Sequence, residues 1–277
     1  MGTYLPTVGV PLHSAGVDYC TVTSRGSERA GALEDLALRA THKLVRLGVK
    51  PRPSGTLGYQ GWQADTLTYG KREDGALLRL SGTAADVWWA EAVHLASNVT
   101  RLDVQVTIDG GPECSELAEI HEHEAIEAAR LVGRPPRIQL TREHERGQTL
   151  YLGARTSQVY RRCYDKHAEQ PAEYPPGSWR YEIEYKSDVA SLVGRGMLDS
   201  GEGARAVPAL VWRQFARCGV TPLFDARPSS VGDRHERVVS DAERSLRWLV
   251  THVAKTTRRL EAAGHGDLAR RALFGDK

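Results

Sequence analysis

Residues Thr149–Lys186 read TLYLGARTSQVYRRCYDKHAEQPAEYPPGSWRYEIEYK and contain two runs that alternate sharply. In Gln158–Lys166, one side of an extended chain carries Gln158, Tyr160, Arg162, Tyr164 and Lys166. In Trp179–Lys186, Tyr181, Ile183 and Tyr185 point one way, and Arg180, Glu182, Glu184 and Lys186 point the other. Successive strand residues face opposite sides of a sheet. Each run therefore predicts a strand with one side dense in Arg, Lys, Glu and Tyr. An ordinary solvated face scatters its charges and seldom mixes in tyrosines, so we take the two sides as one surface and as a candidate active site.

A third strand is predicted over Asn98–Asp109. Leu102, Val104, Val106 and Ile108 form its core side, and Arg101, Asp103, Gln105 and Thr107 form the other. Charges near a core are costly unless paired or metal-bound. If the three strands are neighbours, about 4.8 Å apart, then Asp103, Glu182, Glu184, Tyr164, Lys166, Arg101, Arg162 and Arg180 crowd together. Three carboxylates at one point suit a hard divalent cation such as Mg²⁺ or Mn²⁺. A tyrosine hydroxyl has an ordinary pKa of roughly 10, and a metal or nearby cations would favour its phenolate. A positioned phenolate can attack covalently. Metal and arginines together would hold a phosphodiester and stabilise the charge of an in-line displacement. The chemistry indicated is tyrosine-mediated phosphoryl transfer. Spacing alone also allows a plainer arrangement, a set of cross-strand ion pairs.

Outward from this surface, Gly16–Thr23 alternates and predicts the first strand. Ser27 is placed as the cap of a helix carrying Leu33, Leu36, Ala37, Ala40, Leu44 and Leu47 on one stripe and stopping at Gly48. Pro51–Gly61 reads as a Pro/Gly-rich loop, and Thr66–Gly70 with Ala76–Gly82 as a hairpin about Glu73-Asp74-Gly75. Thr83 is placed as the cap of a helix over Ala84–Ser97, with Trp88 and Trp89 as core residues. Further helices are predicted from Ser115 to about Val132, after Asp188 as cap, and over Ala204–Cys218; Arg137–Thr141 reads as a short strand. After a linker at Arg227–Asp233, Ser240-x-x-Glu243 forms a capping box for a long helix with Arg258 and Arg259 on its polar faces. The pattern predicts an α+β fold: an antiparallel-rich central sheet backed by helices, with a helical C-terminal appendage. Domain bounds are drawn at 1–222 for the site-bearing domain and 223–277 for the appendage.

The bulk numbers narrow the function class. With 37 basic and 35 acidic residues and a net charge of +2, the 277-residue chain has no global basic field. Any polyanion site must be local. Cys20, Cys114, Cys163 and Cys218 form no C-x-x-C pair, which suggests reduced thiols and a cytoplasmic protein. No apolar run is long enough to span a membrane. The Ile120-His121-Glu122-His123 stretch falls on a helix, where residues two apart do not face each other, so it is a poor ligand pair. Nothing fits G-x-x-x-x-G-K-[ST], which argues against ATP hydrolysis by this chain.

Six pieces occur in a characteristic order: VDYCTVTS (17–24), GYQGW (58–62), LLRLSG (77–82), VTRLDVQVTID (99–109), TLYLGARTSQVYRRCYDK (149–166) and RYEIEYK (180–186). In this order they resemble the rolling-circle replication initiators of the Rep-trans type, from Val17 to about Val193. The resemblance implies a nickase and religase of one DNA strand at a double-strand origin. Its tyrosine stays linked to the 5′ end and frees a 3′-OH. A divalent metal, a homodimer and a host helicase are implied as well. By resemblance Tyr164 matches the nucleophile, Asp103, Glu182 and Glu184 the metal site, and Lys166 and Arg180 the basic positions. Tyr160, two residues from Tyr164 on the same side, could be the nucleophile itself, a second one, or a base-stacking residue. Arg101 and Arg162 are DNA-contact candidates on the surface, and Arg258 and Arg259 on the C-terminal helix. Two rival functions are a regulator that binds DNA without chemistry and a metal-dependent phosphodiesterase in which Tyr164 is structural.

Overall fold

The computed structural model describes residues 10–56, 58–111, 116–131, 137–143, 147–232 and 253–267. Two compact units divide the chain, Met1–Asp233 and Arg234–Lys277.

In the first unit the elements run β1 (Leu12–Arg25), α1 (Ser27–Arg46), β2 (Arg52–Thr56), β3 (Tyr59–Ala64), β4 (Leu67–Arg72), β5 (Gly75–Ser81), α2 (Gly82–Leu95) and β6 (Asn98–Ile108). They continue with α3 (Glu116–Leu131), β7 (Ile138–Glu143), β8 (Gly147–Leu152), β9 (Val159–Asp165), α4 (Lys166–Glu169), β10 (Trp179–Lys186), α5 (Ser187–Asp199), a 3₁₀ turn (Gly203–Ala206) and α6 (Val207–Ala216). The strands form one sheet in the order β2-β3-β4-β5-β1-β6-β10-β9-β8-β7. Every pairing is antiparallel. The α+β class and the antiparallel sheet backed by helices are as the sequence indicates.

One face of the sheet is apolar and joins a single core. Cys20, Leu80 and Leu102 lie in register there, as do Tyr185 and Ile183 on β10. Leu33, Leu36 and Ala37 of α1, Ala85 and Trp89 of α2, Leu117 of α3, Val189 and Val193 of α5, and Leu210 and Phe215 of α6 bury against it. Burial of apolar surface at about 25 cal/mol per Å² makes this face the main source of stability. The opposite face belongs to the alternating charged set. Its period of two is what separates the faces so cleanly.

Several local expectations differ. Pro51–Gly61 is not a loop: Arg52–Thr56 pairs with Tyr59–Ala64 as the outer hairpin β2–β3. Pro53 lies on the edge strand, where a missing N–H is tolerated. Neither Ser27 nor Thr83 caps its helix, because Gly26 (φ 82°) and Ser81 hold those positions, without side-chain caps. Asp188 sits one residue inside α5, behind the cap position at Lys186. Trp89 is core, whereas Trp88 is half-buried under Arg39 and Lys43, whose charges lie 5.7 and 5.9 Å from its ring. Leu47 is exposed, past the end of α1 at Gly48 (φ 91°).

The second unit is described by helix α7 (Ala254–Ala262), on which Arg258 and Arg259 are exposed. The capping box at Ser240 and Glu243 lies outside the described residues, as does Cys114. Cys20, Cys163 and Cys218 are free and buried. Among the described residues, no helix is long and apolar enough to cross a membrane.

Candidate functional site

The sheet order puts β10 between β6 and β9, so the three strands with charged sides are neighbours. Register then decides which side chains meet. Glu184 lies opposite Asp103 on one side and Tyr160 on the other. Glu182 lies opposite Gln105 and Arg162, and Arg180 opposite Thr107 and Tyr164. Across β8, Thr149 opposes Tyr164 and Tyr151 opposes Arg162. On β1, Tyr19 opposes Asp103. All of these share one face.

The charges on it are buried and paired. Asp103 is 1% exposed, and both its oxygens accept from Arg101, at 2.9 and 2.6 Å. Arg101 also reaches Glu184 at 3.1 Å and lies over the Tyr19 ring at 4.3 Å. Lys186 pairs with Glu184 at 2.9 Å. Arg162 donates to Glu182 Oε1, and Glu182 Oε2 accepts from the Tyr164 hydroxyl at 3.4 Å. Arg180 Nε donates to Thr107 at 3.0 Å and its Nη2 to the Tyr174 hydroxyl at 3.1 Å. Asp18 Oδ1 stands 3.7 Å from Arg180 Nη1. A register shift between Val17 and Tyr19 makes Asp18 the extra residue of a bulge in β1.

Protonation equilibria on this face are displaced. Burial, reinforced by Glu182 and Glu184, pushes the Asp103 carboxyl up to about 7 and outweighs the opposing pull of Arg101. Burial and then the Glu182 charge hold the Tyr164 hydroxyl above its ordinary value, and Arg180 and Arg162 offset only part of this. The expectation that nearby cations favour the phenolate is therefore reversed in this arrangement. Tyr164 is a neutral donor aimed at a carboxylate. Tyr160 is also raised by its burial, and its ring stacks on Tyr151 at 5.7 Å and 15°.

Lys166 is displaced from its expected place. The Asp165 side chain accepts from Ala168 N at 2.9 Å, which turns the chain into α4 and makes Lys166 its first residue. Lys166 still stays beside the site, bonded to Glu169 at 2.5 Å and lying 5.9 Å from the Tyr164 ring centre. Tyr174, Tyr19, Asp18 and Tyr151 also belong to the site, although the sequence pattern does not point to them. Tyr174 sits in the Pro-rich connection and Asp18 in the bulge, where no alternation marks them.

Three carboxylates on one face suit a hard cation in donor type. In arrangement they serve ion pairs instead: among the described residues, no three His, Cys, Asp or Glu side chains are grouped so as to hold a metal. A cation here has to displace Arg101 or Arg162. His121 is fully buried, bonded to Glu124 at 2.7 Å and to the Tyr181 hydroxyl at 2.9 Å, while His123 is exposed.

Residues 97–216, from the start of β6 through α6, match the family model described as replication initiation factor, Rep_trans. The model that matches is that of the family the motifs resemble. Its match spans the last three of the six pieces; VDYCTVTS, GYQGW and LLRLSG precede it. No curated protein matches the chain. Among solved structures, a rolling circle replication initiator protein from Geobacillus stearothermophilus aligns at 22% identity and a TM-score of 0.49. That alignment covers 68% of this chain and 83% of that one. A C-terminal regulatory domain of aspartate kinase from Porphyromonas gingivalis W83 aligns at 12% identity and a TM-score of 0.16, over 65% and 91% of the chains. At these scores neither structure adds to the family match.

Proposed function

We propose, from the replication initiation factor family that its site strands match, that the chain starts rolling-circle replication by nicking and rejoining one DNA strand through Tyr164. The observation that supports this reading is the Tyr164 hydroxyl standing 3.4 Å from Glu182 Oε2, between arginines of the same face. The Tyr164 oxygen attacks a phosphodiester and its proton passes to Glu182. The new bond joins Tyr164 to the 5′ phosphate, and the broken P–O bond leaves a 3′ oxygen that takes a proton from water to become the 3′-hydroxyl, which can prime synthesis. Religation runs the same steps backward. A neutral, buried tyrosine is a weak nucleophile, so a carboxylate within reach is what the reaction needs. Arg162 and Arg180 neutralise the phosphoryl oxygens as charge grows on them, and Lys166 lends a further positive charge beside the Tyr164 ring.

A divalent cation, Mg²⁺ or Mn²⁺, would be held by Asp103, Glu182 and Glu184 and would supply Lewis-acid polarisation of the phosphodiester. DNA bound to the face gives Arg101 and Arg162 phosphates to pair with, releasing the carboxylates. From the family we carry over a homodimer and cooperation with a host helicase.

The test mixes the chain with a labelled single-stranded origin oligonucleotide and Mn²⁺, then runs a denaturing gel. A heat-stable protein–DNA band that Tyr164→Phe removes and Tyr160→Phe only weakens is the expected result. The reverse dependence makes Tyr160 the nucleophile. Cleavage with free 5′ ends identifies a phosphodiesterase, and binding with no cleavage identifies a regulator.

A further inference from the structure

A polar cleft of about 220 Å³ opens beside Tyr164 on its β8 side, lined by Thr141, Thr149, Tyr151, Arg162, Tyr164 and Glu169. Register explains the grouping. Thr141 opposes Thr149, Thr149 opposes Tyr164, and Tyr151 opposes Arg162, so all project from the charged face. Tyr151 is stacked on Tyr160 and braced by it, while remaining half-exposed. The chemistry of the lining is unlike the β6–β10 side of the site. Its cation, Arg162, is already bonded to Glu182, and Glu169, which also lines it, has one carboxylate oxygen paired with Lys166 and the other left to accept. With Arg162 committed to the attacked phosphate, a second phosphate finds no other cation among the described residues lining the cleft. A flat, uncharged group with donors and acceptors on its edge meets an aromatic ring, two threonine hydroxyls and a carboxylate acceptor.

We propose that this cleft takes one unpaired DNA base next to the phosphate that Tyr164 attacks, with Tyr151 as its stacking platform. The inference rests on the strand-transfer reading of the same site and adds a specificity determinant to it. A cleft of this size admits a base only when that base is out of the duplex. Stacking on an aromatic ring is tolerant of base identity. Glu169 adds a preference, because a carboxylate accepts from an exocyclic amino group and thymine has none.

The experiment places an abasic site, one position at a time, in a single-stranded origin oligonucleotide. Affinity is read by fluorescence anisotropy in EDTA, and covalent adduct by denaturing gel in Mn²⁺. In the wild-type chain one abasic position adjoining the cleavage point weakens binding about tenfold, the scale of one stacked base. Tyr151→Ala binds that abasic oligonucleotide and the intact one equally well. In Tyr151→Phe the abasic penalty returns, which separates stacking from misfolding. Equal abasic penalties in wild type and Tyr151→Ala at every position overturn the cleft assignment, while an intact adduct leaves strand transfer standing. A position-specific penalty that depends on Tyr151 in a chain that forms no adduct upholds the cleft and sinks strand transfer.

Discussion

Asp103 is a carboxylate that a protein core would reject unless its charge were useful. Its carboxyl is pushed up to about 7 by burial and by two neighbouring glutamates, above the roughly 3.9 of an unfolded aspartate. Between about pH 4 and 7 the metal-free folded state therefore holds a proton that the unfolded state has shed. The stability contributed by this group is complete at the acid end and is lost as pH rises through 7. In EDTA, urea denaturation at pH 5 and pH 8 should show a steeper fall for wild type than for Asp103→Asn. Parallel pH dependences in the two proteins would remove burial as the ruling influence on this group. Arg180 makes a second case. Its fork serves Thr107 and Tyr174 at once, and a lysine, with its single ammonium group, cannot reproduce that geometry. Arg180→Lys should cost about 1–3 kcal/mol in denaturant unfolding and lower adduct formation as well. At this scale the sequence is informative wherever alternation holds: Arg101, Asp103, Arg162, Glu182 and Glu184 all fall on the expected face. It fails at Lys166, because one side-chain bond from Asp165 ends the strand early. It also fails at Asp18 and Tyr174, whose places come from a bulge and a loop.

β5 and β1 meet so closely that one added methyl group would collide with the backbone. A Cβ at Gly75 would lie 2.2 Å from the Ser24 carbonyl oxygen, and backbone cannot move aside as a flexible side chain would. Gly75→Ala should lower stability by about 1–3 kcal/mol in thermal or urea unfolding. Adduct yield per folded molecule should stay unchanged, since β5 is two strands from β6. An unaltered midpoint would show that the β1–β5 pair can spread at no cost. The hairpin that begins at Gly75 is readable from its Glu73-Asp74-Gly75 turn, and β6, β9 and β10 from their period of two. β2 and β3 are not, because Pro53, Gly55 and Gly61 lower strand propensity, and long-range packing overrides that preference here.

No local pattern announces the order of ten strands, since pairings such as Thr21 with Arg101 join residues far apart in the chain. That order is what turns three separately legible strands into one site. The C-terminal unit can be tested by itself through charge. If exposed Arg258 and Arg259 contact phosphates, replacing both by alanine should reduce the slope of log K against log salt by about 1–2. An unchanged slope would assign them to a solvated helix face. The sheet also carries a consequence for how the protein is made. β2 to β6 and β1 form one contiguous block, β7 to β9 form another, and β10 is the strand that joins them. It is also the last strand of the sheet to leave the ribosome. A nascent chain that has not yet reached Trp179 lacks Arg180, Glu182 and Glu184, so it holds a tyrosine with nothing to activate it. The charged face comes into being only when its final strand closes the gap, so under the proposed strand-transfer reading an unfinished copy would not yet cut the DNA around it.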